Sequence, residues 1–429
     1  MHDLIIVGGG PAGYRAAELA AGENLKTLLF EERRLGGVCL NEGCIPSKAL
    51  LFSAKLYDYA KGGAASYGVT CNSAAIDYAA AVRHKDKAVD LLVGSIETSL
   101  TKKGVEIIRE RAAIQGRDKG VFVVNSHRAP SLLLCSGATP TLPPIAGIES
   151  AMTNREILAL TEIPETLAIV GGGAAGLEMA SLFNSVGCKV TVYEMLDRIA
   201  GTFDREISGM LQGICERRGI VFHLNAKVNG ISELNADKVL VSIGRKPSTE
   251  GLGLENINVH TERGAIVTDD FMKTSQPGVY AAGDVNGKSM LAHTAYREAE
   301  VAINNICGKK DMMDYSAIPS VIYTNPEAAG IGETLESAIA KGIEARETKL
   351  PMGYSGRYLA ENEGMDGICK LVWDRNRLVG AHMLGNPCSE VISTLSAVMH
   401  TKMGAEQIKK IVFPHPTVAE IVKEAVYHA

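Results

Sequence analysis

The feature that most constrains this chain is a glycine pattern that occurs twice. DLIIVGGGPAG carries Gly8, Gly10 and Gly13, and LAIVGGGAAG repeats the arrangement at Gly171, Gly173 and Gly176. Each copy follows an apolar, β-branched run and precedes an Ala- and Leu-rich helical stretch, Tyr14 to Ala21 and Leu177 to Val186. Strand, tight turn and helix in that order let backbone approach a pyrophosphate seated on the helix N-terminus. Beyond each copy a second apolar run ends in an acid. TLLFE reaches Glu31 and KVTVYE reaches Glu194, both 23 residues after the first glycine of their motif. A carboxylate there accepts from ribose hydroxyls and repels a 2'-phosphate, so the second site should prefer NAD to NADP. A single copy reads equally well as a glycine-rich turn. Two copies with matched acids predict an α/β fold with two Rossmann-like dinucleotide-binding domains.

Cys39 and Cys44, in GGVCLNEGCIPSKALL, lie five residues apart. In a regular helix that spacing puts Cα atoms roughly 8 to 9 Å apart on diverging sides, too far for a relaxed disulfide. A bridge therefore needs a distorted turn, which Gly36, Gly37 and Gly43 permit. Pro46 is tolerated only in a helix's first turn, so Cys44 belongs at or just before the N-terminus. The positive end of that helix and nearby Lys48 both favour thiolate, the form that attacks disulfides. Buried apolar cysteines, or half of a metal site, are the alternatives. No second pair with zinc spacing follows, and no metal is expected.

At 429 residues and 46% hydrophobic content the chain can bury several cores. A net charge of -5 excludes the basic surplus that nucleic acid or an anionic membrane attracts. The other seven cysteines are scattered, which is not a disulfide scaffold. MHDLIIVGGG shows no cleavage site, and no stretch approaches the roughly 18 apolar residues of a membrane span. A cytoplasmic chain is expected, in which a disulfide at Cys39 and Cys44 would be catalytic and re-formed in each turnover.

Two nucleotide sites and a redox dithiol suggest a relay between nicotinamide and disulfide through a flavin, because nicotinamide delivers hydride whereas a dithiol works by thiolate attack. The first site, next in sequence to the dithiol, would hold FAD and the second NAD. Asp284, in AGDV after the apolar GVYAA run, can hydrogen-bond a flavin's ribityl chain, or be an ordinary loop acid or helix cap. In FPHPTVAEIVKEAV, His415 stands between two prolines with Glu420 five residues on, in a helix expected to begin at Pro416 or Thr417. A carboxylate on the following turn can set the imidazole tautomer, as a general acid/base requires. A lone loop histidine is as often solvated, and the chain has ten.

Taken together, GGVCLNEGCIPSKALL, GGGAAGLEMA, AAGDV, MLAHTAYREAE, IPSVIYTNPEAAGIGET and FPHPTVAE resemble the pyridine nucleotide-disulfide oxidoreductases, most closely their dihydrolipoamide dehydrogenase branch, over nearly the whole chain. The likeness implies an FAD- and NAD-dependent enzyme that reoxidises protein-bound dihydrolipoyl groups. Its partners would be a second copy in a homodimer and a lipoyl-carrier protein of a multienzyme complex, with no nucleic acid and no membrane. It makes Cys39 the interchange thiol, Cys44 the charge-transfer thiol, and His415, oriented by Glu420, the acid/base that reaches the other subunit's dithiol. Lys48 would approach the flavin and Glu178 would be its ion-pair partner. Further FAD contacts map to Ala112, Ser136, Gly137, Ala138, Met290, Leu291, Ala292 and His293, and NAD contacts to Val228 and Gly244.

The implied architecture is an FAD domain over 1–145, an NAD domain over 146–248, a return to the FAD domain over 249–314 and a C-terminal α+β dimerisation domain over 315–429. The chain departs from the family pattern between Val228 and Asp237, where a longer β-meander is usual, and at Glu42, where an apolar residue is common and a negative charge would raise thiol pKa. An NADH-dependent reductase of another disulfide, thioredoxin-like or of low molecular weight, is the competing enzyme reading. An FAD-bearing scaffold subunit is the competing reading from another class.

Overall fold

The computed structural model describes residues 1–362 and 366–429. Six helices carry most of the candidate residues: α1 (Pro11–Gly22), α2 (Gly37–Glu42), α3 (Cys44–Asp58), α4 (Ala174–Ser185), α5 (Ala292–Ile306) and α6 (Glu420–Tyr427). The chain folds as two compact units, each assembled from three separate stretches.

The first unit comprises Met1–Ala49, Val82–Thr141 and Gly244–Asp314. Its centre is a parallel sheet in the order Val279–Ala281, Ser131–Leu134, Leu4–Val7, Thr27–Phe30, Glu106–Ile108. Leu4 pairs with both Thr27 and Ser131, so Leu4–Val7 is the central strand, and all four of its residues are buried. An unbroken apolar run suits that position, since helices cover both faces of a parallel sheet. α1 follows at once and packs against α5. A three-stranded antiparallel meander, Ile114–Asp118, Val121–Val124 and His127–Ala129, closes one side of the core. Ala138–Pro140 pairs antiparallel with Arg245–Pro247, and Thr141 N donates to Gly244 O at 2.9 Å. The chain thus leaves and re-enters this unit at adjacent points.

The second unit comprises Leu50–Ala81, Leu142–Ile243 and Tyr315–Ala429. One sheet is parallel, in the order Val221–His223, Lys189–Tyr193, Thr166–Val170, Lys238–Val241, with α4 packed on it. Among the described residues no strand lies between His223 and Lys238. A single 3-10 turn at Ile231–Leu234 spans the gap, so the short sequence there carries no meander. The other sheet is antiparallel, in the order Pro319–Ile322, Ala328–Gly332, Arg377–Leu384, Ile368–Asp374, Ala345–Pro351. Its core includes the fully buried Trp373, whose Nε1 donates to Thr348 Oγ1 at 3.2 Å. Lys370 on this sheet is also buried, and its Nζ meets Asp204 at 2.7 Å, Glu347 at 3.0 Å and Glu206 at 3.3 Å. Among the described residues no helix is long and apolar enough to cross a membrane.

Candidate active site

The two glycine motifs have the same construction. Gly8 and Gly171 take φ of +101° and +113°, and a side chain at either would collide with a neighbouring strand's carbonyl, that of Cys135 or of Ser242. A Cβ at Gly13 would strike Gly8 O, and one at Gly176 would strike Gly171 O. Both α1 and α4 therefore start hard against their sheets. Their N-caps, Gly10 and Gly173, have no side chain to offer the first amides, the arrangement that suits an anion at a helix N-terminus. These are features a bound dinucleotide requires, and in both places the residues fit it.

The matched acids do something the spacing alone did not reveal. Glu31 accepts from Gly9 N and from Arg33 N, both at 2.8 Å. Glu194 accepts from Gly172 N at 2.6 Å and from Leu196 N at 2.8 Å. Each carboxylate braces its own glycine loop through one oxygen and the chain beyond the strand through the other. A third acid repeats the device. Glu298, fully buried on α5, accepts from Gly283 N at 2.6 Å and from Asn286 Nδ2 at 2.9 Å, holding the AGDV loop. The signal for Glu298 was a lone acid on the apolar face of a helix, which sequence reasoning passed over.

The remaining FAD candidates fall in the first unit. Ala112 is buried, Ser136 Oγ donates to Ser248 O at 2.6 Å, and Gly137 takes φ of +73°. Ala138 opens the short strand Ala138–Pro140. Met290 precedes α5, Leu291 is its N-cap, and Ala292 and His293 are its first residues. Asp284 follows Gly283, which is wedged between α1 and α5: a Cβ there would lie 3.2 Å from Ala12 Cβ and 3.4 Å from that of Ala295. Burial pushes the Asp284 carboxyl above its ordinary pKa, and the Arg245 charge pulls it back.

Of the NAD-side residues, Glu178 is buried on α4 and accepts from Tyr323 N at 3.1 Å. Val228 packs on the core beneath the parallel sheet. Gly244, with φ of +111°, is the first residue of the stretch returning to the other unit.

Cys39 lies in α2 and Cys44 is the first residue of α3, separated by the break at Gly43 (φ -149°, ψ -108°). Gly36 N donates to Gly9 O at 2.8 Å, and a Cβ at Gly37 would crowd Gly10 Cα, so α2 is tied to the first glycine loop. Cys39 is half-buried and Cys44 exposed. A hydrogen bond with Cys44 pushes the Cys39 pKa up, burial adds to it, and the Lys48 charge opposes. Two tyrosines face this dithiol from α1 and α5. Tyr14 and Tyr296 hydrogen-bond through their hydroxyls with rings edge-on, centroids 5.8 Å apart. Burial, first of all, raises the pKa of each, and the dithiol's charge adds to it.

Glu42, between the two cysteines in sequence, pairs through its carboxylate with the Arg33 guanidinium. His415 sits in a cis His415–Pro416 segment, its side chain 80% exposed, with Nδ1 2.9 Å from Glu420 Oε1. Glu420 Oε2 accepts from Thr417 N at 2.8 Å. That bond first, and the one with His415 second, hold Glu420 below the usual carboxylate range. The helix begins at Glu420, not at Pro416 or Thr417. Val418 and Ala419 form a tight turn in which the amides of Glu420, Ile421 and Val422 reach back three residues rather than four.

Residues 2–299 match the family described as pyridine nucleotide-disulphide oxidoreductase, and 318–426 match its dimerisation domain. The dihydrolipoyl dehydrogenase of Chlamydia muridarum is 38% identical, over 99% of this chain and 96% of that protein. The mitochondrial dihydrolipoyl dehydrogenase of Dictyostelium discoideum is 34% identical over 100% and 94%. Leghemoglobin reductase of Vigna unguiculata is 35% identical over 99% and 87%. Among solved structures, the HOCl-induced flavoprotein disulfide reductase RclA of Escherichia coli superposes with TM-score 0.87 at 26% identity, over 99% of both chains. With two braced dinucleotide loops, a dithiol tied to the first of them and this likeness end to end, the chain belongs to the pyridine nucleotide-disulphide oxidoreductases, which use FAD and NAD.

Proposed function

We propose that the protein is a homodimeric dihydrolipoamide dehydrogenase, working in a reducing compartment and reoxidising dihydrolipoyl groups carried by another protein. The observation that carries this reading is end-to-end similarity to dihydrolipoyl dehydrogenases in a chain whose Cys39–Cys44 pair opens a helix beside the first glycine loop. We assign FAD to the residues around α1, α5 and Asp284, and NAD to the loop at Gly171–Gly176 with Glu194. The four-part division at 145, 248 and 314 is proposed with it. Bound FAD supplies a carrier that takes an electron pair from thiols and passes hydride to nicotinamide.

The chain's own residues account for the thiol steps. His415, its tautomer set by Glu420, removes a proton from the dihydrolipoyl group of a carrier docked at the partner subunit. The resulting thiolate attacks Cys39 Sγ of the oxidised pair, forming a mixed disulfide while the Cys39–Cys44 bond breaks and Cys44 leaves as thiolate. The second substrate sulfur then attacks the first, and its proton passes to the departing cysteine while His415 keeps the one it took. Cys39 departs with that proton as a thiol. Substrate leaves as a cyclic disulfide and the enzyme keeps the two electrons.

A second reading, reduction of a different disulfide, is favoured by one fact: relatives with other names match about equally well. The deciding experiment records the flavin spectrum of purified protein and follows NADH formation from dihydrolipoamide and NAD, with NADP, glutathione and thioredoxin in parallel. Rapid NADH production sustains the first reading. A yellow protein inert to dihydrolipoamide but active on another disulfide replaces it with the second.

A further inference from the structure

The second glycine loop is held from a direction its own parallel sheet does not supply. Beyond Glu194 the chain runs on to Asp204, the N-cap of the helix Arg205–Arg217. Midway along this stretch Ala200 N donates to Gly172 O at 2.8 Å, which lays it on the glycine loop. Ala200 takes φ of +47°, a left-handed conformation that an alanine keeps only where its surroundings impose it. Phe203 N donates to Ala200 O at 2.8 Å, and Ser208 Oγ donates to Ile199 O, so the strained residue is tied to the first turn of the helix. That turn is fastened in its own unit to the antiparallel sheet at two points. Phe203 packs over Gly330, where a Cβ would lie 3.8 Å from the phenyl ring and 2.9 Å from His382 Nδ1. Asp204, fully buried, caps the helix through Oδ1, accepting from Glu206 N at 3.0 Å and Ile207 N at 3.1 Å, and its Oδ2 accepts from Lys370 Nζ at 2.7 Å. Beside these anchors the loop and the sheet part around a cleft of about 260 Å³, lined by Arg198, Gly201 and Arg205 on one side and Gly332, Thr334 and Ser337 on the other. The loop is therefore held at points and not along its length.

We propose that Lys370 positions the second dinucleotide loop: through Asp204, the C-terminal sheet keeps Ala200 against Gly172 and so keeps the loop in the shape that receives NAD. The chain of contacts is short. Lys370 fixes Asp204, Asp204 fixes the first turn of its helix, Ser208 on that turn fixes Ile199, and Ala200 holds the Gly172 carbonyl. Glu194 engages Gly172 N at 2.6 Å, so this residue is gripped through both its amide and its carbonyl. The remaining partners of the ammonium are Glu206 at 3.3 Å, on the same first turn, and Glu347 at 3.0 Å, on the strand Ala345–Pro351. A buried cation needs such partners wherever it stands, but only those on the loop and its helix transmit its position. Lys370 and Asp204 are thus positioning residues, and Glu347 separates that role from plain stability.

This inference rests on the assignment of NAD to the Gly171–Gly176 loop, and its test therefore reads the loop both with the cofactor and without it. Asp204→Asn keeps the helix cap, since asparagine caps as well as aspartate, and removes the charge that Lys370 meets. Affinity falls in proportion to the fraction of molecules whose loop is seated, so seating in about one molecule in ten raises the Kd about tenfold. Calorimetric titration of the oxidised holoenzyme with NAD measures this. The loss appears in the KM for NAD and not in kcat at saturating NAD, because bound cofactor restores the seated loop. Without NAD, hydrogen exchange of the peptide containing Ala200 quickens by about tenfold or more, and saturating NAD slows it again.

Glu347→Gln removes another partner of the same cation and leaves both the Kd for NAD and the exchange at Ala200 at their wild-type values, whatever it does to the melting temperature. Lys370→Met weakens NAD binding at least as much as Asp204→Asn, and the double variant is no weaker than Lys370→Met alone. Should Lys370→Met fail to fold, Asp204→Asn against Glu347→Gln decides. A lower melting temperature in Asp204→Asn with unchanged Kd and exchange overturns the proposal, as does an equal loss of affinity in Glu347→Gln. A holoenzyme that binds no NAD, while exchange at Ala200 still follows Asp204→Asn and not Glu347→Gln, discards the cofactor assignment and keeps the role of Lys370.

Discussion

At the scale of single residues, His415 and Glu420 show what a pair of side chains can be asked to do. The imidazole is exposed and held through Nδ1 by Glu420, which sets its tautomer. His415→Gln should lower dihydrolipoamide turnover by roughly 10² to 10⁴, with the flavin spectrum unchanged. Turnover within a few-fold of wild type ends the acid/base assignment. Because Glu420 is held below the usual carboxylate range, it stays ionised well into acid, and loss of turnover on the acid side of the pH profile should be absent of any step from it. The dithiol gives a sharper test. Cys44→Ser should abolish the long-wavelength absorbance of a thiolate against flavin on partial reduction, while Cys39→Ser should retain it. Persistence of the band in Cys44→Ser would reverse the roles of the two sulfurs.

Residue chemistry was legible in the sequence where a rare spacing demands it. Cys39, Cys44 and Pro46 imply a helix beginning at the second cysteine, and α3 begins there. The fate of Glu42 was not legible, because Arg33 is nine residues away and on no common element. Nor were Tyr14 and Tyr296, which come together across 282 positions of sequence.

At the scale of elements, the repeated strand, loop and helix carries its own prediction. Gly13 and Gly176 allow α1 and α4 to start against their strands, and any side chain there meets a carbonyl that cannot move without the sheet. Gly176→Ala should raise the KM for NAD at least roughly tenfold, with about 1 to 3 kcal/mol of overpacking spread between the loop and the strand. Flavin content should stay normal. Gly13→Ala should instead lower the flavin recovered per protein. If both variants lose flavin, the division of labour between the two loops is wrong. The acids explain why this element is rigid: Glu31 and Glu194 each tie a glycine loop to the chain beyond the second strand, two bonds apiece. Spacing showed that a carboxylate stands there. It could not show that both oxygens are already engaged by backbone, since that depends on how two strands sit side by side.

At the scale of the whole molecule, charge buried away from the site matters for stability. Lys370, its side chain 5% exposed, faces Asp204, Glu206 and Glu347. Burial raises the Asp204 pKa, but the bonds from Lys370 and Ile207 N outweigh it and leave it depressed. A depressed carboxyl adds stability that is present above its unfolded pKa and lost as pH falls through the folded one. Lys370→Met removes the cation and leaves three carboxylates together, at a cost of about 3 to 5 kcal/mol at neutral pH. Their pKa values should then rise above the unfolded values, so the deficit should shrink as pH falls from 7 towards 4. Melting temperature against pH for both proteins checks this, and a constant deficit would refute the charge argument.

Assembly belongs to this scale too. Val412, 89% exposed, and Tyr427, 54% exposed, lie in the stretch matched to the dimerisation domain. A charge placed by Val412→Glu should shift sedimentation towards monomer and remove turnover with it.

The amino-acid order by itself determined two dinucleotide loops, a redox pair at the start of a helix and a histidine with its carboxylate, because each is a local pattern whose backbone geometry follows from glycine, proline and hydrophobic spacing. Tertiary structure alone decided which side chains meet across the folds of the chain. It put Glu298 under the AGDV loop, Arg33 on Glu42, Arg245 on the Ala138 carbonyl and Lys370 among three acids. Those are long-range pairings, and their electrostatics depend on burial and distance, which no stretch of sequence specifies until the sheets have formed.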